Sequence, residues 1–170
     1  MEKFYFITTF CNFNSDKTNK EIIYSINENL KNELIGKLFL LIDLGLPDEN
    51  MYEKFIDSSN LSEYQKYLNK EFIDLLQNEK VNIYIIKTRP TYKYIFNFCN
   101  NFCNVKWILS NADINFPIWN MDRLKLLINK DFSKEAFVLT RYNILEDLDE
   151  PWKSGKIDGK YYPWLNGIEI

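Results

Sequence analysis

The chain has 170 residues, of which 46% are hydrophobic and 16% aromatic, so it is long and apolar enough for one domain with a buried core. Its 21 basic and 24 acidic residues give a net charge of −3, which argues against a nucleic-acid-binding face, because such a face needs clustered positive charge. No histidine is present, which excludes Ser-His-Asp and Cys-His nucleophile systems and Cys/His zinc sites.

The predicted strands and helices alternate along most of the chain. The predicted strands are Lys3–Phe10, Lys37–Leu44, Val81–Thr88, Val105–Ile114 and Ala136–Thr140. The predicted helices are Lys20–Asn32, Leu61–Asn78, Thr91–Phe102 and a last one that begins near Pro117 and includes Ile128. We expect Thr18 or Asn19 to cap the first helix and Gly36 to form the turn after it. Strands that alternate with helices predict an α/β fold with a mostly parallel central sheet and helices on both faces.

The remaining composition indicates a cytoplasmic protein. The three cysteines, Cys11, Cys99 and Cys103, include no Cys-x-x-Cys motif and favour core packing in a reducing compartment. The N-terminal apolar run is too short for a signal peptide, and no apolar run approaches the length of a membrane span. We therefore expect a protein with no membrane span and no nucleic-acid partner.

Polar residues follow the predicted strands, at the edge where open α/β sheets bind ligands. If the strand that begins at Val105 stays extended, Asn111, Asp113 and Asn115 point the same way, and their oxygens suit a hard divalent cation. An ordinary turn is the alternative, because Asn and Asp favour turns.

Two of the three arginines, Arg89 and Arg141, come directly after predicted strands. Arginine binds phosphate oxygens bidentately, whereas pairing with a nearby carboxylate is the alternative interpretation. The chain has neither a Gly-x-Gly-x-x-Gly motif nor a Gly-Lys-Ser/Thr phosphate loop. A bound phosphate would therefore need a cation together with Arg or Lys.

Three motifs in a fixed order carry a resemblance to a known family. They are Arg-Pro-Thr-Tyr-Lys at 89–93, Ile-Leu-Ser-Asn-Ala-Asp-Ile-Asn-Phe at 108–116 and Leu-Thr-Arg-Tyr-Asn at 139–143. In this order and spacing they resemble glycosyltransferase-like proteins of the GT-A fold, in the nucleotide-diphospho-sugar transferase superfamily. The resemblance implies a Rossmann-like donor-binding half and metal-assisted transfer of a sugar from a nucleotide donor to an unidentified acceptor.

The same resemblance implies roles for individual residues. Asp113 and Asn115, or Asn111 and Asp113, match the Asp-x-Asp motif that binds a divalent cation, Mn²⁺ or Mg²⁺, and the donor diphosphate. The residues expected to bind the donor are Thr8, Thr9, Arg89, Tyr92, Lys93, Asn111 and Arg141. Thr8 and Thr9 would lie near the nucleotide. No residue is assigned as the catalytic base.

Two other functions stay open at this stage. Neither candidate pair has two carboxylates, and the chain ends about where the acceptor-binding half of GT-A enzymes begins. We therefore expect a single GT-A-like domain over residues 1–170 that lacks the acceptor-binding portion, and a non-catalytic nucleotide- or sugar-binding regulatory module is the main alternative. A metal-dependent phosphatase or nuclease using Asp43 is a weaker alternative, because Gly45 stands where a second acid would be needed.

Overall fold

The computed structural model describes residues 2–11, 16–44, 53–57, 59–65, 68, 70–112, 114, 121–130, 156–157 and 160–161. The chain divides into two compact units, Met1–Lys130 and Asp131–Ile170, and the single domain expected from the sequence stays a prediction. The described part of the second unit is a short antiparallel pair, β6 (Lys156–Ile157) and β7 (Lys160–Tyr161).

The first unit alternates strands and helices. Its strands are β1 (Phe4–Cys11), β2 (Ile35–Asp43), β3 (Lys54–Ile56), β4 (Val81–Ile86) and β5 (Lys106–Leu109). Its helices are α1 (Asp16–Lys31), α2 (Leu61–Tyr64), α3 (Lys70–Leu75), α4 (Tyr92–Asn100) and α5 (Met121–Ile128). Among the described helices, none combines the length and the apolar character needed to cross a membrane.

The five described strands of the first unit form one sheet in the order β3-β4-β2-β1-β5. β1 pairs in parallel with β2 and β5, β2 pairs in parallel with β4, and the edge strand β3 runs antiparallel to β4. Cys11 at the end of β1 lies opposite Asp43, which lies opposite Ile86, so β1, β2 and β4 end at the same level. The prediction of an α/β fold with a mostly parallel sheet is confirmed.

Helices cover both faces of the sheet, as expected for a sheet whose central strand, β2, has buried apolar residues on both sides. One face packs against α1, α2 and α3, and the other packs against α4. The first core includes Phe6, Phe10, Ile22, Ile26, Leu30, Leu40, Ile42, Phe72 and Ile83. The second core includes Ile7, Phe39, Leu41, Ile86, Ile95, Phe98 and Cys99. Phe39 lies at its centre, with its ring centroid 5.2 Å from that of Trp107 and 5.9 Å from that of Phe98.

The end of α1 differs from the prediction. Gly36 lies within β2, and the chain leaves the helix at Asn32, whose side-chain oxygen accepts the backbone N–H two residues later over 3.0 Å. The β1–β2 register shifts between Phe4 and Tyr5, opposite Gly36, and a Cβ at that position would lie 2.9 Å from the Cβ of Lys3. Glycine is therefore required here by the close approach of two strands. α1 also begins at Asp16, so the caps predicted at Thr18 and Asn19 were wrong.

The segment between β2 and β4 differs from the sequence-based prediction in two further ways. The helix predicted over Leu61–Asn78 is two short helices, although the predicted apolar face, which includes Tyr64, Leu68 and Phe72, is buried as expected. Burial therefore followed the apolar spacing even where the helix did not continue. The edge strand β3 has three residues, which is too short for a recognisable alternating pattern.

Candidate functional site

The path of the chain through the sheet locates a candidate binding crevice. From β1 the chain adds β2 and then β4 on one side, and after α4 it crosses to place β5 on the other side of β1. The helices before the crossing cover one face, and α4 covers the opposite face. In open α/β sheets, a crevice for ligands opens at the carboxyl ends of the two strands where the order reverses. These two strands are β1 and β5.

Thr8 and Thr9 lie in the last half of β1, beside this reversal. Phe6 and Phe10 belong to the core under α1, so Thr8 between them faces the same layer, and Thr9 faces the α4 layer with Ile7. Thr8 is 0% exposed, and its hydroxyl has no hydrogen-bond partner among the described residues. A buried hydroxyl without a partner costs folding free energy, which makes Thr8 a group that a ligand could satisfy. Thr9 is half-buried.

β5 is shorter than the sequence predicted, and it ends at Leu109, opposite Ile7. The N–H of Ser110 still donates to the carbonyl oxygen of Ile7 over 3.2 Å, and the chain then turns, with the Ile114 N–H bonded to the carbonyl of Asn111 over 3.2 Å. The extended strand predicted to Ile114 was therefore wrong, and the turn considered as an alternative is present. The strand geometry from which the alignment of Asn111, Asp113 and Asn115 was predicted ends at Leu109.

The predicted cation ligands are only partly described. Asn111 is exposed in the turn after β5, next to the crevice, whereas Asp113 and Asn115 lie outside the described residues. As a donor set, one carboxylate and two amides present oxygen atoms, which suit Mg²⁺ or Mn²⁺ in chemistry. Within the described ranges, no group of three His, Cys, Asp or Glu side chains could hold a metal ion. Asp43, at the end of β2, is half-buried.

The chain after β4 carries three other predicted donor-binding residues, Arg89, Tyr92 and Lys93, and β4 is separated from β5 by β2 and β1. All three are exposed, and Tyr92 is exposed by 71% at the first turn of α4. Its helix is capped by Thr91, whose hydroxyl accepts the Tyr94 N–H over 3.2 Å. Because β2 and β1 separate β4 from β5, about 14 Å lies between the axes of these two strands at the usual strand spacing. The sheet therefore does not bring these three residues directly beside Asn111.

The second arginine that followed a predicted strand, Arg141, lies outside the described residues. Sequence order placed the Asn111–Asn115 stretch between two strand ends that carry arginine. The sheet order places β1 and β2 between the Arg89 strand end and that stretch. The residue before this stretch, Ser110, donates instead to the carbonyl oxygen of Ile7, so the stretch begins beside β1, the strand that carries Thr8 and Thr9.

Two residues of interest were not found from the sequence. Asn29 of α1 is fully buried, and its Nδ2 donates to the carbonyl oxygen of Ile114 over 3.0 Å. The one sequence signal for this contact is that Asn29 is a polar residue on the apolar side of a predicted helix. Phe96 is 57% exposed, one turn after Tyr92, and the two rings stack at 6.4 Å between centroids.

Three titratable groups packed near α4 have a raised pKa and stay protonated at neutral pH: Tyr84, Tyr94 and Cys99. Burial and a 2.9 Å hydrogen bond to Glu53 raise the pKa of the Tyr94 phenol, and burial raises the pKa of the Tyr84 phenol. Burial also raises the pKa of the Cys99 thiol to about 11. These groups are therefore poor general bases or nucleophiles at neutral pH.

The chain was compared with profiles of known protein families, with curated proteins and with solved structures, and none of the three comparisons gives a significant match.

Proposed function

We propose that this chain is a GT-A-like glycosyltransferase domain that binds a nucleotide-diphospho-sugar and transfers the sugar to an acceptor. The observation that supports the proposal best is the strand order, whose reversal lies between β1 and β5, beside Thr8, Thr9 and Asn111. Counted along the chain, the four parallel strands have the order 3-2-1-4, which is the order of nucleotide-binding Rossmann-like sheets. The resemblance of the strand-end motifs to GT-A proteins agrees with this order.

The proposal gives each described residue a binding role. A ligand that enters the crevice would supply the hydrogen-bond partner that the buried Thr8 hydroxyl lacks among the described residues, and Thr9 lies next to it on the opposite face of the strand. Asn111, with Asp113 and Asn115, would supply oxygen ligands to Mn²⁺ or Mg²⁺. When bound, such a cation stabilises the negative charge of a departing diphosphate.

Arg89, Tyr92 and Lys93 would serve a more distant part of the donor. Arg89 and Lys93 are exposed cations that make no ion pair within the described part of the chain, so they are available to a phosphate group. Tyr92 offers an exposed ring on which a base or sugar could stack. Their distance from β5 requires a ligand long enough to span the edge of the sheet, as a nucleotide sugar is. Arg141 belongs to the proposed donor set by resemblance alone.

Thermal unfolding with UDP-glucose, GDP-mannose and CMP-sialic acid, each with Mn²⁺, Mg²⁺ or neither, tests the proposal. We expect one nucleotide sugar to stabilise the folded chain, and at 100 times its Kd the gain is about 2.7 kcal/mol. For a chain of this size, that gain raises Tm by roughly 5–11 °C. Asn111→Ala should reduce the gain, whereas Asn27→Ala, at an exposed asparagine of α1, should leave it unchanged. A folded chain that none of these combinations stabilises would refute donor binding.

A non-catalytic nucleotide-binding module is the second candidate. It is favoured by the chemistry of the described candidate residues, which are threonine, asparagine, arginine, tyrosine and lysine, groups that bind a nucleotide sugar without providing a carboxylate base. In that case the chain binds a nucleotide sugar but neither hydrolyses nor transfers it, and Asp113→Ala changes little beyond stability. Release of free nucleotide from the stabilising donor, followed by chromatography, separates the two candidates.

A further inference from the structure

One polar side chain on the buried side of α1 makes a contact that its helix does not require. Asn29 is 0% exposed on a helix whose neighbouring positions Ile26 and Leu30 pack into the core. Its Nδ2 donates to the backbone carbonyl of Ile114, 85 residues along the chain, over 3.0 Å. Burying an amide is unfavourable unless it is hydrogen-bonded, and this hydrogen bond offsets part of that cost for Asn29.

The contact adds a restraint to the turn after β5. At its start, the Ser110 N–H pairs with β1, and the Ile114 N–H closes the turn on Asn111. Ala112 packs against the core under α1. Asn29 holds the far end of the turn, through the carbonyl of the residue that directly follows Asp113. The bond therefore connects α1 to the backbone that carries the proposed donor-binding residues.

The end of α1 is also held by a hydrogen bond from the residue that precedes β4. Lys80, just before β4, donates from its Nζ to the carbonyl oxygen of Leu30 over 3.0 Å. A lysine at the last carbonyls of a helix satisfies groups that have no partner within the helix. Asn29 thus donates from a helix end that is already held in place, which suits it to position a loop.

We propose that Asn29 is a positioning residue for donor binding, which fixes the Asn111–Ile114 turn so that Asn111 and its neighbours meet the nucleotide sugar. The inference rests on the proposed function. Asn29 itself does not touch the ligand, and it acts through the carbonyl of Ile114. Removing its side-chain amide should therefore loosen the turn and weaken donor binding by more than it weakens the fold elsewhere.

The experiment compares Asn29→Leu and Asn29→Ser with Asn82→Leu. Asn82 is a matched control, because its Nδ2 also donates to a backbone carbonyl, that of Lys80, over 3.2 Å in a partly buried position. Asn29→Ser keeps a small polar group and serves if the leucine variant does not fold. Two quantities are measured below the unfolding transition: amide hydrogen exchange of the peptide that covers the turn, and the Kd of the nucleotide sugar that stabilises the wild type, with Mn²⁺ present.

In an Asn29 variant we expect faster exchange in the turn and a Kd about tenfold higher, as for other residues that orient a ligand-binding group from behind. In Asn82→Leu we expect a wild-type Kd at a comparable loss of stability. If an Asn29 variant binds as the control does, the inference is overturned and the proposed function stands. If the wild type binds no nucleotide sugar, the proposed function fails and the inference fails with it.

Discussion

Replacing Thr8 by valine separates a structural role of its hydroxyl from a ligand-binding role. Valine has nearly the shape of threonine, so Thr8→Val removes the hydroxyl from a fully buried position without leaving a cavity. Since the hydroxyl has no partner among the described residues, we expect its desolvation to be uncompensated in the ligand-free chain. A buried unsatisfied polar group costs about 1–3 kcal/mol, so the substitution should stabilise the ligand-free chain by about 1 kcal/mol or more. That gain raises Tm by roughly 2–4 °C for a chain of this length.

The same substitution should weaken nucleotide-sugar binding if the ligand satisfies the hydroxyl. Losing one such hydrogen bond costs about 1 kcal/mol, which is roughly a fivefold increase in Kd. Asn82→Leu is the control for binding, because Asn82 is a partly buried residue of β4 that lies outside the proposed donor set. Urea unfolding gives the stability, and isothermal titration calorimetry gives the Kd. A less stable Thr8→Val chain would refute the reasoning, since it would mean that the hydroxyl has a partner in solution. A more stable chain with an unchanged Kd would leave Thr8 outside the site.

Three further predictions concern the sheet, the thiols and the exposed cations. Gly36→Ala should lower the free energy of unfolding by about 1–3 kcal/mol in urea, because its Cβ would lie 2.9 Å from the Cβ of Lys3 and the strands would have to move apart. Iodoacetamide at pH 8 should modify the exposed Cys103 and spare the buried Cys99, as peptide mass spectrometry would show; early modification of Cys99 would contradict its burial. Because burial raises the pKa of Cys99 to about 11, above its unfolded value, its contribution to stability is intact below pH 9 and is lost as the pH rises through about 11. Arg89→Ala should raise the Kd of the nucleotide sugar about tenfold and Arg89→Lys by less, and equal affinity of all three chains would exclude Arg89 from the site.

The long elements of the fold could be predicted from the sequence because their local patterns are strong. The second strand is apolar at nearly every position, which is typical of a strand covered on both faces, and it lies at the centre of the sheet. The helix after Thr91 was recognised from its apolar stripe, and Thr91 proved to be its N-cap. Short elements lack such a pattern. β3 needs its antiparallel partner β4 to form, and the end of β5 is set by the bond between Ser110 and Ile7 together with the turn that follows.

The candidate site could be predicted only as a set of strand ends. Parallel strands end at one edge whatever their order, so Thr8, Arg89 and Asn111 were all expected there. Their spacing along that edge depends on which strands pair, and pairing is decided by tertiary packing of the two cores. The chain order gave no sign that β4 and β5 would lie on opposite sides of β1. The strand order in the structure was therefore needed to predict that Thr8 and Asn111 lie on adjacent strands of the proposed site and that Arg89 lies farther along the edge.

The helix α1 links the two halves of the proposed crevice. It follows β1, which carries Thr8, and near its other end Asn29 holds the turn that begins at Asn111. A shift of α1 relative to the sheet would therefore move this turn while β1, paired on both sides, stays in place. Packing of α1 limits such a shift, because Ile22, Ile26 and Leu30 are buried against the sheet. Core substitutions under α1 should consequently change donor affinity as well as stability.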